Sequence, residues 1–288
     1  MTAARPDSST PATQADDTAT AGLAHRLAGL RARIAARCTA CGRDPASVRL
    51  LPVSKTVDAA RLRAAHAAGC REFGENKVQE AAAKAEALAE LSLRWSIIGH
   101  LQTNKAKQVA RFASEFQALD SLRTAAALDR RLQAEGRALE VMVQVNTSGE
   151  ASKYGLPPDE VAAFLQQMPV FQSLRVTGLM TLALQARDDT AVRACFQHLR
   201  ALRDRLRQNA PPNVTLRELS MGMSGDYELA IEEGATVVRI GQAIFGPRPL
   251  PDSHYWPEGR SHTSSTPVTE SCPAARATPG TATRRTAR

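Results

Sequence analysis

Short apolar runs alternate with helical patterns between residue 21 and about residue 250. The segment 21–38, AGLAHRLAGLRARIAARC, repeats apolar residues at three- and four-residue spacing and predicts an amphipathic helix. VRLLPVS (48–54) reads as a strand, followed by a helix from Asp58 to about Ala68 that Gly69 stops. REFG (71–74) precedes a helix over 76–91, and RWSIIG (94–99) precedes one over 103–112. FQALD (116–120) leads to a helix with Gly136 at its C-cap. LEVMVQVN (139–146) is the most strand-like segment and precedes a helix over 157–168, whose prolines suit a first turn. LRVTGLMT (174–181) leads into a long helix over 188–209, and LRELSMG (216–222) into a short one near 226–234. TVVRIG (236–241) runs into the helical turn QAIFG.

Strict strand–helix alternation implies parallel strands joined by crossovers. Eight such units in about 230 residues predict a single (β/α)8 TIM barrel rather than an open sheet. A doubly wound open sheet is the alternative, because alternation does not give strand order; no G-x-G-x-x-G follows an early strand. The expected organisation is a disordered tail over 1–20, a barrel over 21–250 and a disordered tail over 251–288, the last rich in Pro, Ser, Thr and Arg.

Composition removes several function classes. No stretch of the 288 residues approaches the roughly 18 apolar residues of a membrane span. The first twenty residues lack an apolar core and carry acidic residues, so neither a secretory signal nor a transit peptide is expected, and the protein is expected to be cytoplasmic. Five cysteines, an odd number without framework spacing, suit a reducing compartment. Cys38 and Cys41 form a C-x-x-C that closes a helical pattern without a second ligand pair, so no metal is expected. The net charge of +8 invites a nucleic-acid reading. Its arginines, however, are spread over helical faces such as 193–208, and aromatics at 4% leave few stacking platforms, so no nucleic-acid partner is expected.

In a barrel, chemistry collects at the C-terminal strand ends, and a phosphate commonly sits beyond strands seven and eight. SMGMSGDYELAI (220–231) places Gly222, Ser224 and Gly225 in a turn before a helix, while strand eight runs through Gly241 straight into a helical turn at Gln242. Two neighbouring turns of this kind can hold a phosphate from both sides, or be ordinary strand–helix turns with an N-cap serine. Arg239 shares a strand face with Val237 and Gly241; its inward guanidinium needs either a carboxylate such as Asp120 or a ligand atom with a lone pair. Lys55 ends strand one, beside strand eight in a closed barrel. Cationic company and partial burial favour a neutral, nucleophilic amine; the alternatives are an ion pair with Glu75 or a chain reaching to solvent. A nucleophilic lysine, a phosphate cup and an arginine together suit pyridoxal 5′-phosphate (PLP).

The chain also resembles the YggS/PROSC family of pyridoxal phosphate homeostasis proteins, relatives of the N-terminal barrel of alanine racemase. The resemblance runs from about residue 21 to 248 and rests on VSKT (53–56), FGENKVQE (73–80), WSIIGHLQTNK (95–105), VNTSGEASKYG (145–155) and GLMTL (178–182). LSMGMSGDYELAIEEGATVVRIGQAIFG (219–246) completes the set. It implies Lys55 as the Schiff-base lysine, Ser224, Gly241 and Gln242 at the phosphate, Arg239 facing the pyridine nitrogen and Asn76 at the ring side. Relatives often carry threonine at position 242, so glutamine here leaves the backbone amide as the donor. The implied function is reversible covalent PLP binding in intracellular PLP homeostasis, by a monomer serving PLP-dependent apo-enzymes.

The alternative is a PLP-dependent amino-acid racemase of the same fold. Racemisation needs acid–base groups on both faces of the substrate α-carbon. In alanine racemases the second is a tyrosine from the partner's C-terminal β-domain, and the residues after strand eight, with Tyr255, are not expected to build one. Arginine at the ring nitrogen also disfavours its protonation, so a carrier rather than an enzyme is expected.

Overall fold

A computed structural model describes residues 11–150, 154–184 and 188–247. Its strands are β1 (Arg49–Pro52), β2 (Glu72–Glu75), β3 (Arg94–Ile97), β4 (Glu115–Leu119), β5 (Leu139–Gln144), β6 (Leu174–Met180), β7 (Val214–Ser220) and β8 (Val237–Ile240). All pairings are parallel, in the order β1-β8-β7-β6-β5-β4-β3-β2. The ends of that order meet: Val53 bridges Gly74 in parallel, and the Ser54 N–H donates to the Gly74 carbonyl over 3.0 Å. The sheet is therefore a nearly closed eight-stranded parallel barrel, and the open-sheet alternative falls.

The helices are α1 (Pro11–Ala40), α2 (Ala59–Ala67), α3 (Val78–Ala87), α4 (Ala106–Phe112), α5 (Leu122–Ala134), α6 (Val161–Gln167), α7 (Asp189–Arg207), α8 (Tyr227–Glu232) and α9 (Gln242–Phe245). Asp58 and Ser121 cap α2 and α5 by accepting the N–H of the third residue onward, the usual way a helix start satisfies its orphan donors. α1 buries Leu23, Leu27, Leu30, Ile34 and Cys38, the helical stripe seen in the sequence, and packs against α2, α8 and α9.

Several boundaries differ from expectation: α6 begins at Val161, past the prolines expected in its first turn, and the helix expected over 103–112 opens with a 3-10 turn at Thr103–Lys105. α1 begins at Pro11, ten residues inside the segment assigned to a tail, because PATQADDTAT offers proline at a first turn and several alanines with no interior breaker. The helix expected over 76–91 ends at Ala87, and Ala89–Leu91 forms a 3-10 turn that stops at Ser92 with φ 50°. The remaining parts of the two expected tails, 1–10 and 251–288, lie outside the described residues.

Strand alternation gives the barrel two layers of contact. On one face, Phe73 of β2 and its register partner Trp95 of β3 form a cross-strand aromatic pair, with ring centroids 5.9 Å apart. At the N-terminal end of the barrel, Arg49 pairs with Glu72 at 2.7 Å, Glu115 at 2.8 Å and Glu218 at 3.5 Å. The three carboxylates raise the Arg49 pKa against the opposing effect of burial, and burial pushes the Glu218 carboxyl up. A cavity of about 690 Å³ opens at this end among Arg49, Glu72, Arg94, Glu140 and Glu218. Residues at the starts of barrel strands serve stability, and this network is assigned to closing the barrel floor.

Candidate functional site

Parallel pairing sets Leu51 opposite Arg239 and Pro52 opposite Ile240, and the Val53 N–H continues the ladder to the Ile240 carbonyl at 2.9 Å. The chain leaving β1 therefore runs beside the start of α9. A Cβ on Gly241 would lie 2.9 Å from the Val53 carbonyl oxygen, so glycine is what lets the two segments approach. Between them is a small cavity of about 40 Å³ lined by residues including Val53, Lys55, Thr56, Gly241, Gln242 and Phe245. Within α9 the N–H groups of Ile244 and Phe245 return to the Gly241 carbonyl, each at 2.9 Å. The peptide N–H groups of Gln242 and Ala243 are left as first-turn donors at the end that faces the mouth. Three residues singled out from the sequence, Lys55, Gly241 and Gln242, thus line one cavity at the C-terminal mouth.

Arg239 lies just inside, only 3% exposed. Its Nη1 donates to Ser220 Oγ at 2.7 Å and its Nη2 to the Thr181 carbonyl at 2.8 Å, two of five available donors. Ser220 Oγ in turn donates to Gln117 Oε1 at 2.6 Å. Burial lowers the Arg239 pKa to about 10, opposed by the charges of Asp226 and Glu115. Asp120, weighed as its ion-pair partner, stands instead 3.5 Å from His100 Nδ1. The His100 ring also stacks on Tyr154, with centroids 4.2 Å apart and planes 14° from parallel.

The main-chain N–H of Arg239 donates to the Gly222 carbonyl at 2.9 Å, tying β8 to the loop after β7. Gly222 has φ 93° and a Cβ there would lie 2.6 Å from the Ala230 Cβ, so no other residue suits the turn. Ser224 follows, half-buried, in a turn held by the Met223 N–H donating to Asp226 Oδ1 at 2.6 Å. Burial pushes the Asp226 carboxyl up. Asn76 is half-buried immediately after β2. Ser224 and Asn76 both stand at C-terminal strand ends, outside the lining of the Lys55 cavity.

A group of residues behind Lys55 was not anticipated. Lys84 of α3 is buried, and its Nζ donates to the Ser54 carbonyl at 2.7 Å, Glu75 Oε1 at 2.7 Å and Glu80 Oε1 at 2.6 Å. Ser54 Oγ donates to the same Glu75 oxygen at 2.6 Å, and Glu80 Oε1 accepts the Thr56 N–H at 2.6 Å. Glu75, weighed as the ion-pair partner of Lys55, is thus paired with Lys84. Its carboxyl is pushed up by complete burial, with Lys84 opposing. The sequence carried one signal: Lys84 falls in the buried stripe of its helix with Val78 and Ala81, where an apolar residue is expected.

The sequence pattern described as "Alanine racemase, N-terminal domain" matches residues 26–249. A pyridoxal phosphate homeostasis protein of Pseudomonas aeruginosa is 45% identical over 226 residues, which are 78% of this chain and 96% of that protein. PipY of Synechococcus elongatus PCC7942, solved with PLP bound, shares 38% identity at a TM-score of 0.68, covering 78% of this chain and all of that one. An alanine racemase of Clostridium difficile, 13% identical at a TM-score of 0.57 over 72% of this chain and 54% of that one, shares the fold alone.

Proposed function

This chain belongs to the pyridoxal phosphate homeostasis protein family, and on that premise we propose that it binds PLP covalently and reversibly and so takes part in PLP homeostasis. The observation that carries the reading is the shared cavity of Lys55, Gly241 and Gln242 at the C-terminal mouth. PipY, with PLP bound, supports the cofactor.

The donor set suits the cofactor. When bound, PLP supplies an aldehyde that condenses reversibly with a primary amine and releases water. Lys55 is the amine for that condensation. The peptide N–H groups at Gly241 and Gln242 and the Ser224 hydroxyl would hold the phosphate, where a helix start favours an anion. Arg239, still protonated at neutral pH, would face the pyridine nitrogen as a donor, and Asn76 would contact the ring side. A donor at that nitrogen keeps it unprotonated and weakens the ring as an electron sink, which favours a carrier over a racemase. The working unit is the barrel over 21–250, acting in the cytoplasm as a monomer and releasing cofactor to PLP-dependent apo-enzymes.

Borohydride reduction of the PLP-loaded protein followed by peptide mapping tests the reading. One phosphopyridoxyl adduct is expected, on the peptide that contains Lys55. An adduct on Lys153 alone overturns the assignment. Incubation with L-alanine and chiral analysis decides between carrier and racemase; rapid racemisation overturns the carrier reading.

A further inference from the structure

Lys55 sits between two peptide groups that α3 holds from behind. The carbonyl of Ser54, which precedes Lys55, accepts from Lys84 Nζ at 2.7 Å. The N–H of Thr56, which follows Lys55, donates to Glu80 Oε1 at 2.6 Å. Glu80 and Lys84 are themselves joined at 2.6 Å across one helical turn. One ion pair therefore grips the backbone on both sides of a single residue.

The arrangement is more than a helix needs for its own stability. An i,i+4 Glu–Lys pair supports a helix equally well in solvent, whereas burying an ammonium is costly unless every donor is used. Here the three donors of Lys84 are all used, on Glu75, Glu80 and the Ser54 carbonyl. Ser54 is fixed further by its hydroxyl on Glu75 and by its N–H on Gly74. Thr56 is held at φ 65°, a left-handed conformation that threonine rarely adopts and that its surroundings must impose. Charge-assisted bonds to backbone are short and directional, which makes them suited to fixing where a neighbouring side chain starts.

We propose that Lys84 and Glu80 are positioning residues for Lys55: they lock the two peptide groups flanking it so that its amine is delivered into the barrel mouth. This deepens the proposed function and rests on Lys55 being the cofactor amine. A misplacement of about an ångström in a reacting group costs up to about a hundredfold in rate. Releasing the clamp is therefore expected to slow covalent capture while leaving phosphate docking intact.

The test uses the full chain, freed of cofactor, as wild type, Glu80→Gln and Lys84→Met. Because Lys84→Met leaves the Glu75 carboxylate buried without its cation, the double variant Lys84→Met/Glu75→Gln is its neutral companion. Two probes are compared: PLP, and pyridoxine 5′-phosphate, which keeps the ring and phosphate but has no aldehyde to condense. In folded variants the rate of PLP capture is expected to fall roughly tenfold or more, while pyridoxine 5′-phosphate affinity stays within about twofold. Amide hydrogen exchange at Thr56 in the cofactor-free protein is expected to quicken. An unchanged capture rate in folded Glu80→Gln and in the double variant overturns the proposal. So does an equal loss of both probes, which marks a general structural role. If wild-type protein takes up no label at Lys55, the parent reading is what fails, and the Thr56 exchange comparison alone then decides whether the clamp exists.

Discussion

The guanidinium of Arg239 donates to Ser220 Oγ over 2.7 Å, and that hydroxyl hands its own hydrogen to Gln117 across the barrel at 2.6 Å. The cation is held by hydroxyl and carbonyl oxygens, with no carboxylate among the described residues at ion-pair distance, and burial lowers its pKa to about 10 against the charges of Asp226 and Glu115. An arginine kept charged in such a place is suited to donating to a ligand rather than to neutralising a neighbour.

Replacing Arg239 with methionine separates these roles. The substitution removes a costly buried charge but strands two acceptors, each a loss of about 1 kcal/mol, so net stability is expected to shift by less than about 2 kcal/mol. PLP affinity is expected to fall by about tenfold, the value of one lost charge-assisted bond. Urea unfolding alongside a fluorescence titration measures both. An unfolded variant, or a folded one with unchanged affinity, contradicts the assignment.

Lys55→Ala is expected to abolish borohydride-fixed cofactor while pyridoxine 5′-phosphate still binds, since the substitution leaves the proposed phosphate donors, the Gly241 and Gln242 N–H groups and the Ser224 hydroxyl, in place. Mass spectrometry of the reduced protein reads the first and calorimetry the second.

Gly241→Val is expected to damage both stability and phosphate binding. Even a Cβ would press to 2.9 Å on the Val53 carbonyl, and the added methyls force β1 and α9 apart, costing about 1–3 kcal/mol. A thermal melt and a phosphate-competition assay check this; a variant with wild-type melting and wild-type affinity refutes it.

Asp226 gives a pH signature. Its folded pKa is raised above the ordinary 3.8 by burial, so in the window above 3.8 the native state binds more protons than the unfolded state, and stability falls as pH rises. The contribution is complete below 3.8 and is lost as pH passes through the raised folded value. Asp226→Asn keeps the acceptor for the Met223 N–H and removes the titration. The variant is expected to be more stable than wild type near about pH 7, with the gap closing toward about pH 4. Denaturant melts across that range test the sign, and a gap that widens on acidification is the contrary result.

Much of this protein follows from local pattern. Eight runs of period-two or wholly apolar residues, each trailed by a helical stripe, determine the number of strands and their parallel sense, because those signals act within a dozen residues. Once eight units are counted, barrel closure puts the end of β1 beside β8, and the neighbourhood of Lys55, Gly241 and Gln242 was legible before any coordinate. The partners of buried charges were not. Arg239 bonds Ser220 and Thr181 rather than Asp120, and Glu75 pairs with Lys84, a residue of the following helix's buried stripe whose partner the stripe does not identify. Which acceptor lies within 3 Å of a cation depends on the stagger of strands and the seating of helices, quantities that no local period contains. The sequence by itself determined the barrel and the lysine at its rim; tertiary packing alone decided what grips that lysine, because hydrogen-bond partners are chosen by distances between segments far apart in the chain.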